Sequence, residues 1–363
     1  MSVSLGMPRL RGAGPRQQGL PADRPDDARL VDRFGRAATD LRVSLTDRCN
    51  LRCSYCMPAE GLDWMPDDRL LTDDEVVRLI RLAVERFGVD EVRFTGGEPL
   101  LRKGLESIVA ATASLRTATG RAPETSLTTN GLGLTRRARG LVDAGLTRVN
   151  VSLDTLRRDR FAQITHRDRI DDVLAGARAA ADAGLAPVKV NAVLLRGVND
   201  DEAADLLRWA LAEGYQLRFI EQMPLDPQGA WDRASMITAD EILDRLQAAF
   251  DLHHDDPATR GSAPAETWHV TDGTHIGTVG IVASVTRPFC GDCDRTRLTA
   301  DGQVRDCLFA TRETDLRELL RDGASDDELA DAWRAAMWAK RAGHGIDDPS
   351  FLHPTRPMSA IGG

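Results

Sequence analysis

The residues best equipped for chemistry in this chain are two groups of cysteines. Cys49, Cys53 and Cys56 lie in the run Asp47-Arg48-Cys49-Asn50-Leu51-Arg52-Cys53-Ser54-Tyr55-Cys56, a C-x-x-x-C-x-x-C loop. Cys290, Cys293 and Cys307 repeat the theme as C-x2-C-x13-C. Three thiolates can ligate three irons of a cubane [4Fe–4S] cluster, whereas ferredoxin clusters are held by four cysteines. A cluster short of one protein ligand keeps an open coordination position, and an open position on a metal is where chemistry takes place. Zinc is the competing reading, since it takes four N or S ligands. The first loop offers three thiols and no nearby histidine, but the second holds a C-x-x-C half-site that His253, His254, His344 or His353 could complete. Both triads lack a fourth cysteine, and that shared shortfall favours clusters.

The elements that must position these thiols alternate between strand and helix. Strand-like runs fall at 41–45, 91–94, 125–128, 148–152, 188–194 and 216–220. The first helix opens on Thr72-Asp73-Asp74-Glu75, a capping box followed by an apolar stripe of Val76, Leu79, Ile80 and Ala83. Further helical patterns cover about 103–115, 134–143, 170–183 and 201–212. Six β–α units in succession predict a parallel sheet with right-handed crossovers, built as a partial (β/α)6 barrel. Active sites of such sheets lie at the carboxyl ends of the strands. The Cys49–Cys56 loop follows the first strand and so falls on that rim. Residues 1–30, rich in Gly, Pro and Arg, read as a disordered extension. The barrel is expected over 31–235, with a smaller α/β C-terminal domain over 236–363 carrying the second triad. Within that domain, helices are expected near 238–249, 312–321 and 326–340, and strands near 267–270 and 275–282.

Other rim loops carry candidate contacts. Thr95-Gly96-Gly97-Glu98-Pro99 follows the second strand, and its glycines let backbone approach a ligand closely. Thr128 ends the third strand, and Ser152 the fourth, where Asp154 reads as a helix N-cap. Lys189 interrupts an apolar run in the fifth strand; a charge there is costly unless it meets an anion. Met223 follows the sixth strand at rim height. No G-x-x-x-x-G-K-[ST] phosphate loop is present, so phosphates would have to be held by side chains.

Bulk properties set the class. The chain has 363 residues and a net charge of −9, which argues against nucleic acid as its main partner. It lacks an apolar run of ~18 residues and a secretory signal pattern, so neither a membrane span nor export is expected. Six cysteines in two triads read as metal ligands in a reducing, cytoplasmic setting rather than as disulfides.

The first loop, with Tyr55 before its last cysteine, resembles the signature of radical S-adenosylmethionine (SAM) enzymes, whose fold is the partial barrel predicted here. In that family SAM chelates the open iron, and one electron splits it to methionine and a 5′-deoxyadenosyl radical. The second triad, followed by Arg295 and Arg297, together with the closing Ile361-Gly362-Gly363, resembles the GTP 3′,8-cyclase family of molybdenum cofactor biosynthesis. The likeness runs from about Leu30 to the last residue. It implies two [4Fe–4S] clusters, held by Cys49, Cys53 and Cys56 and by Cys290, Cys293 and Cys307. It further implies SAM contacts from Tyr55, Gly97, Ser152 and Met223, and GTP contacts from Arg42, Arg93, Thr128, Lys189, Arg295, Thr296 and Arg297. Catalytic roles fall to Arg295, Arg297, Gly362 and Gly363. The reaction implied abstracts hydrogen from C3′ of GTP, joins C3′ to C8, and gives (8S)-3′,8-cyclo-7,8-dihydroguanosine 5′-triphosphate. Implied partners are GTP, an electron-donor protein, a downstream enzyme receiving the cyclised nucleotide, and a second copy in a homodimer. The rival within enzymes is a two-cluster radical SAM peptide-modifying enzyme, which usually needs more cysteines than remain after residue 280. Outside enzymes the rivals are an iron–sulfur electron carrier and a zinc-bearing binding module.

Overall fold

A computed structural model describes residues 23–256, 260–349, 351–354 and 356–362. Chain order begins β1 (Asp40–Ser44), α1 (Asp73–Phe87), β2 (Glu91–Thr95), α2 (Leu105–Ser114), β3 (Glu124–Thr129), α3 (Leu134–Asp143) and β4 (Arg148–Ser152). It continues through α4 (Arg158–Thr165), α5 (Ile170–Asp182), β5 (Val188–Ala192), α6 (Ala203–Ala212), β6 (Gln216–Ile220) and α7 (Ala239–Gln247). The last part holds β7 (Asp251–His254), β8 (Glu266–Thr271), β9 (Ile276–Val282), β10 (Arg295–Leu298), β11 (Gln303–Arg305) and β12 (Thr314–Asp315). Three helices close it: α8 (Leu316–Arg321), α9 (Asp326–Trp338) and α10 (Met358–Ile361).

Local rules account for the helix starts. Thr72 and Glu75 exchange the reciprocal bonds of a capping box (3.2 and 2.8 Å), and the stripe Val76, Leu79, Ile80 and Ala83 is buried. Thr238–Glu241 and Ser325–Glu328 cap α7 and α9 in the same way. The sequence missed α4, and Asp154 caps no helix. Arg157 occupies the N-cap of α4, while the Asp154 carboxylate accepts from Val193 N at 2.9 Å and Tyr55 Oη at 2.8 Å.

Among the described residues, twelve strands form one sheet in the order β12-β11-β10-β1-β2-β3-β4-β5-β6-β9-β8-β7. Strands β1 to β6 run parallel, as their helical crossovers require. The chain beyond residue 235 does not build a sheet of its own. It extends the barrel at both edges, β9 pairing parallel to β6 and β10 parallel to β1. Most of the helices cover the outer face, whereas α10 lies against the barrel's open end. Trp333 of α9 is fully buried, meets Phe87 of α1 edge-on at 5.7 Å, and donates its Nε1–H to Thr296 Oγ1 at 3.0 Å. That contact ties β10 to the helical layer and turns its arginines inward.

Residues 23–30 depart from the expected disordered extension. Leu30 is fully buried, Arg24 pairs with Asp331 at 3.2 Å, and Asp23 accepts from Trp338 Nε1 at 3.1 Å. The rest of that extension lies outside the described residues. Among the described residues no helix is long and apolar enough to cross a membrane.

Candidate active site

Inward-facing residues of the parallel strands follow the two-residue pleat. Arg42 of β1 lies level with Arg93 of β2 and Arg297 of β10, and Asn191 of β5 with Arg218 of β6. A cavity of about 320 Å³ occupies the carboxyl end of the barrel, and all six cysteines border it. The first triad enters on the loop after β1. The glycine loop after β2 grips that loop: Gly97 N donates to Thr46 O and Glu98 N to Arg48 O, both at 2.8 Å. A Cβ on Gly97 would stand 2.3 Å from Arg48 O and 2.5 Å from Asp47 O, so only glycine permits the approach.

Donors aim at the sulfurs of both triads. Asn130 Nδ2 lies 3.8 Å from Cys49 Sγ, and the Ser359 amide points at Cys56. In the second triad, Lys340 Nζ lies 3.2 Å from Cys293 Sγ, with the Arg295 amide beside it and the Phe309 amide on Cys307. Such donors stabilise thiolates rather than thiols. Burial pushes Cys56 up to about 12 and Cys53 well above its ordinary value. Burial is also the largest influence on Cys293, but the charges of Lys340 and Arg295 and their hydrogen bonds together outweigh it and bring the thiol down to about 7. Among the described residues no three His, Cys, Asp or Glu side chains group tightly enough for a single metal ion. A cubane spreads its thiolates over separate irons and does not need that packing. The histidine best placed to complete a zinc site, His344, has both ring nitrogens on backbone, at Ser284 O and Ile346 N (3.1 Å each). The donor sets fit thiolate-held clusters.

Between the triads the lumen is cationic. Burial, then the neighbouring Arg93, lowers both Arg42 and Arg218 to about 10. Arg297 is lowered by burial and then by Arg42. Lys189 falls to about 7 through burial and the charge of Arg218. Arg42 Nε and Arg295 Nη2 are buried and have no hydrogen-bond partner among the described residues. Arg295 Nη1 meets Ser262 O at 2.8 Å, and its guanidinium stacks over Phe289 at 5.0 Å. These cations crowd together in a chain of net charge −9, with Asp40 and Glu91 beside Arg93 as their nearby counter-charges, an arrangement that can receive an anion.

The C-terminal tail reaches this place. Ser44 Oγ donates to Ile361 O, and Arg297 Nη1 to Gly362 O, both at 2.7 Å. Met358 and Ser359 form part of the cavity wall.

Comparison with known proteins adds the lineage. Residues 43–210 match the Radical SAM superfamily, and residues 215–346 match Molybdenum Cofactor Synthesis C. A GTP 3′,8-cyclase of Streptomyces coelicolor is 63% identical over 334 residues, covering 92% of this chain and 96% of that protein. Another from Mycolicibacterium smegmatis is 60% identical over 365 residues, covering 99% of each. The chain belongs to the GTP 3′,8-cyclase family. Streptococcus suis SuiB bound to S-adenosylmethionine superposes with a TM-score of 0.53 at 14% identity, covering 81% of this chain and 68% of that one; this shows the fold alone.

For this radical SAM cyclase the positions expected from sequence sort as follows. Tyr55, Gly97, Ser152 and Met223 line the cavity with the cysteines, as do Arg42, Arg93, Thr128, Arg295 and Arg297. Lys189 does not border the cavity; it pairs in register with Asn150 and Gln216, two residues before the cavity-lining Asn191 of its own strand. The Thr296 side chain faces the opposite side of β10, toward Trp333, and does not reach the lumen. Gly363 lies outside the described residues. Sequence reasoning passed over Arg218, although it interrupts the sixth strand as Lys189 does the fifth. It also passed over Glu98, which is fully buried and accepts from Thr129 Oγ1, Asn130 N and Leu100 N at 2.7, 2.7 and 2.9 Å. Burial raises that carboxyl to about 7.

Proposed function

We propose that this lumen performs the cyclisation for which its family is named, converting GTP to (8S)-3′,8-cyclo-7,8-dihydroguanosine 5′-triphosphate. The observation carrying this reading is the confluence of two three-cysteine sets, a ring of buried guanidinium groups and the segment Met358–Gly362 at one cavity. The Cys49, Cys53 and Cys56 thiolates would hold a [4Fe–4S] cluster that supplies, when bound, the electron for cleaving SAM to methionine and a 5′-deoxyadenosyl radical. Cys290, Cys293 and Cys307 would hold a second cluster as the seat of the guanine base.

The remaining work belongs to the chain. Gly97 lets its loop close on the cysteine loop, and Tyr55, Ser152 and Met223 line the cavity where SAM would sit. Tyr55 is held by its bond to Asp154. Arg42, Arg93, Arg218 and Arg295 receive the triphosphate, and their mutual repulsion falls when it binds. Lys189, half neutral near pH 7, takes up a proton as the anion arrives. Holding the nucleotide at both ends brings C3′ to the adenosyl radical and then C8 to C3′, which is catalysis by positioning. Arg297 fixes Gly362 beside this place, so the tail is positioned to act on the chemistry there.

The test is anaerobic incubation of reconstituted protein with SAM, dithionite and GTP. Formation of 5′-deoxyadenosine that depends on GTP, with the cyclised nucleotide as co-product, is expected. Deoxyadenosine formed equally without GTP would remove the substrate assignment.

A further inference from the structure

Each SAM cleavage consumes one electron, and the inner side of the first thiol loop borders the cavity that the arginines and the tail residues Met358 and Ser359 also line. The other side of the same loop borders a separate exterior groove of about 260 Å³. Asn50, the chain neighbour of Cys49, forms part of its wall with Leu101, Leu132, Arg136, Arg137, Arg167 and Arg169. Asn50 Oδ1 accepts from Asn130 Nδ2 at 2.7 Å, and the same Nδ2 lies 3.8 Å from Cys49 Sγ. One amide therefore bridges the groove wall and the thiolate.

The groove has the makings of a transient protein interface. Leu100, Leu101 and Leu132 supply its apolar part, and Leu101, 45% exposed, is one of few large hydrophobic side chains left open to solvent among the described residues. Around it stand four guanidinium groups in a chain whose net charge is −9. Arg137 is committed to Glu106 and to the carbonyls of Leu100 and Arg102, and Arg169 pairs with Asp172. Arg136 and Arg167 are exposed and enter no ion pair among the described residues; the Arg136 charge is felt by Asp172, and the Arg167 guanidinium meets the His166 carbonyl at 2.8 Å. An apolar contact rimmed by uncommitted cations is complementary to an acidic surface.

We propose that this groove docks an acidic one-electron carrier protein, with the Asn50–Asn130 contact as the bridge to the cluster on Cys49. The carrier is oxidised by one electron, the bound cluster gains it, and no atom or proton changes hands. The proposal rests on the functional reading above. It is tested with the holoenzyme, SAM and GTP, measuring 5′-deoxyadenosine formation under limiting reductant. The reductant is either the hydroquinone of an acidic bacterial flavodoxin or dithionite.

Expected for Arg136→Glu with Arg167→Glu is a loss of at least about tenfold in the flavodoxin-driven rate at low salt, shrinking at high salt. The milder Arg136→Gln with Arg167→Gln pair falls between, and dithionite-driven rates stay within about twofold, because a small reductant needs no docking surface. Three results would overturn the docking site: equal slowing with both reductants, an unchanged flavodoxin rate in the charge-reversed protein, or a wild-type protein that flavodoxin cannot reduce. The dithionite arm keeps the two readings apart. Failure of GTP-dependent deoxyadenosine formation there would sink the functional reading, and this proposal with it.

Discussion

Gly362→Ala puts the seated tail to a quantitative test. Gly362 has φ +78° and ψ 135°, a conformation that L-residues rarely adopt. A Cβ there would lie 2.5 Å from Ser44 Oγ, 2.5 Å from Thr95 Cγ2 and 3.3 Å from Gly96 N. The backbone term alone costs about 1–3 kcal/mol. Relieving the overlap moves Ser44 off Ile361 O, a bond worth about 1 kcal/mol. Together these disfavour the seated tail by about 2–4 kcal/mol, roughly 30- to 1,000-fold in its equilibrium. The assay is GTP-dependent turnover, with iron content and SAM binding measured alongside. At least about a tenfold loss of turnover is expected, with iron and SAM binding unchanged. Adding Ser44→Ala and Thr95→Ser relieves the overlap but not the backbone cost, so rescue should be partial. Wild-type turnover in the single variant would refute the reasoning, and so would a loss of iron, which would make the effect global.

Lys189 predicts proton uptake on GTP binding. Its folded value of about 7 leaves it largely neutral at pH 8, and an arriving triphosphate favours the charged form, so GTP should bind more tightly as pH falls from 8 to 6. Calorimetry in buffers of different ionisation enthalpy should show the uptake in wild type and not in Lys189→Met. Glu98 is a carboxyl raised from 4.5 to about 7 by burial, so its stabilising share is full below pH 4.5 and is lost as pH rises through 7. Urea unfolding of the apoprotein should therefore show Glu98→Gln gaining on wild type by about 3 kcal/mol between pH 4.5 and 8; a flat difference would contradict the assignment. Arg356 grips buried Asp301 at 2.8 and 2.9 Å and reaches Glu313 at 3.0 Å, just before the tail turns inward. Arg356→Ala should cost about 2–3 kcal/mol in urea unfolding, and it should lower turnover while leaving GTP affinity intact.

The parts of this fold that sequence exposes are those governed by local rules. The six parallel strands show as apolar runs between capped helices, and the cysteine loop falls at a strand end where chemistry belongs. What stayed hidden depends on contacts distant in sequence. Arg295-Thr296-Arg297-Leu298 reads locally as a basic turn; it becomes a strand only by pairing with β1, some 250 residues earlier. That pairing decides that Arg295 and Arg297 face the lumen and that Thr296 faces Trp333. Asp154 follows the same logic. Its position suits an N-cap, yet Tyr55, on a different loop, claims the carboxylate. Arg218 was legible by the very signal that exposed Lys189, a charge inside a buried strand. Residues 23–30 look like an unstructured leader until α9 supplies Asp331 and Trp338 as partners. The seating of Gly362 against Arg297 could not be read locally either, because its partners come from β1, β2 and β10.

The central claim is that this cavity brings C3′ of GTP to the radical made from SAM. GTP deuterated at C3′, incubated anaerobically with the reconstituted protein, SAM and dithionite, tests it directly through the mass of the 5′-deoxyadenosine released. Deoxyadenosine carrying the deuterium is the predicted result. GTP-dependent deoxyadenosine free of deuterium would mean that hydrogen is taken from elsewhere, and the geometry assigned to this lumen would be wrong.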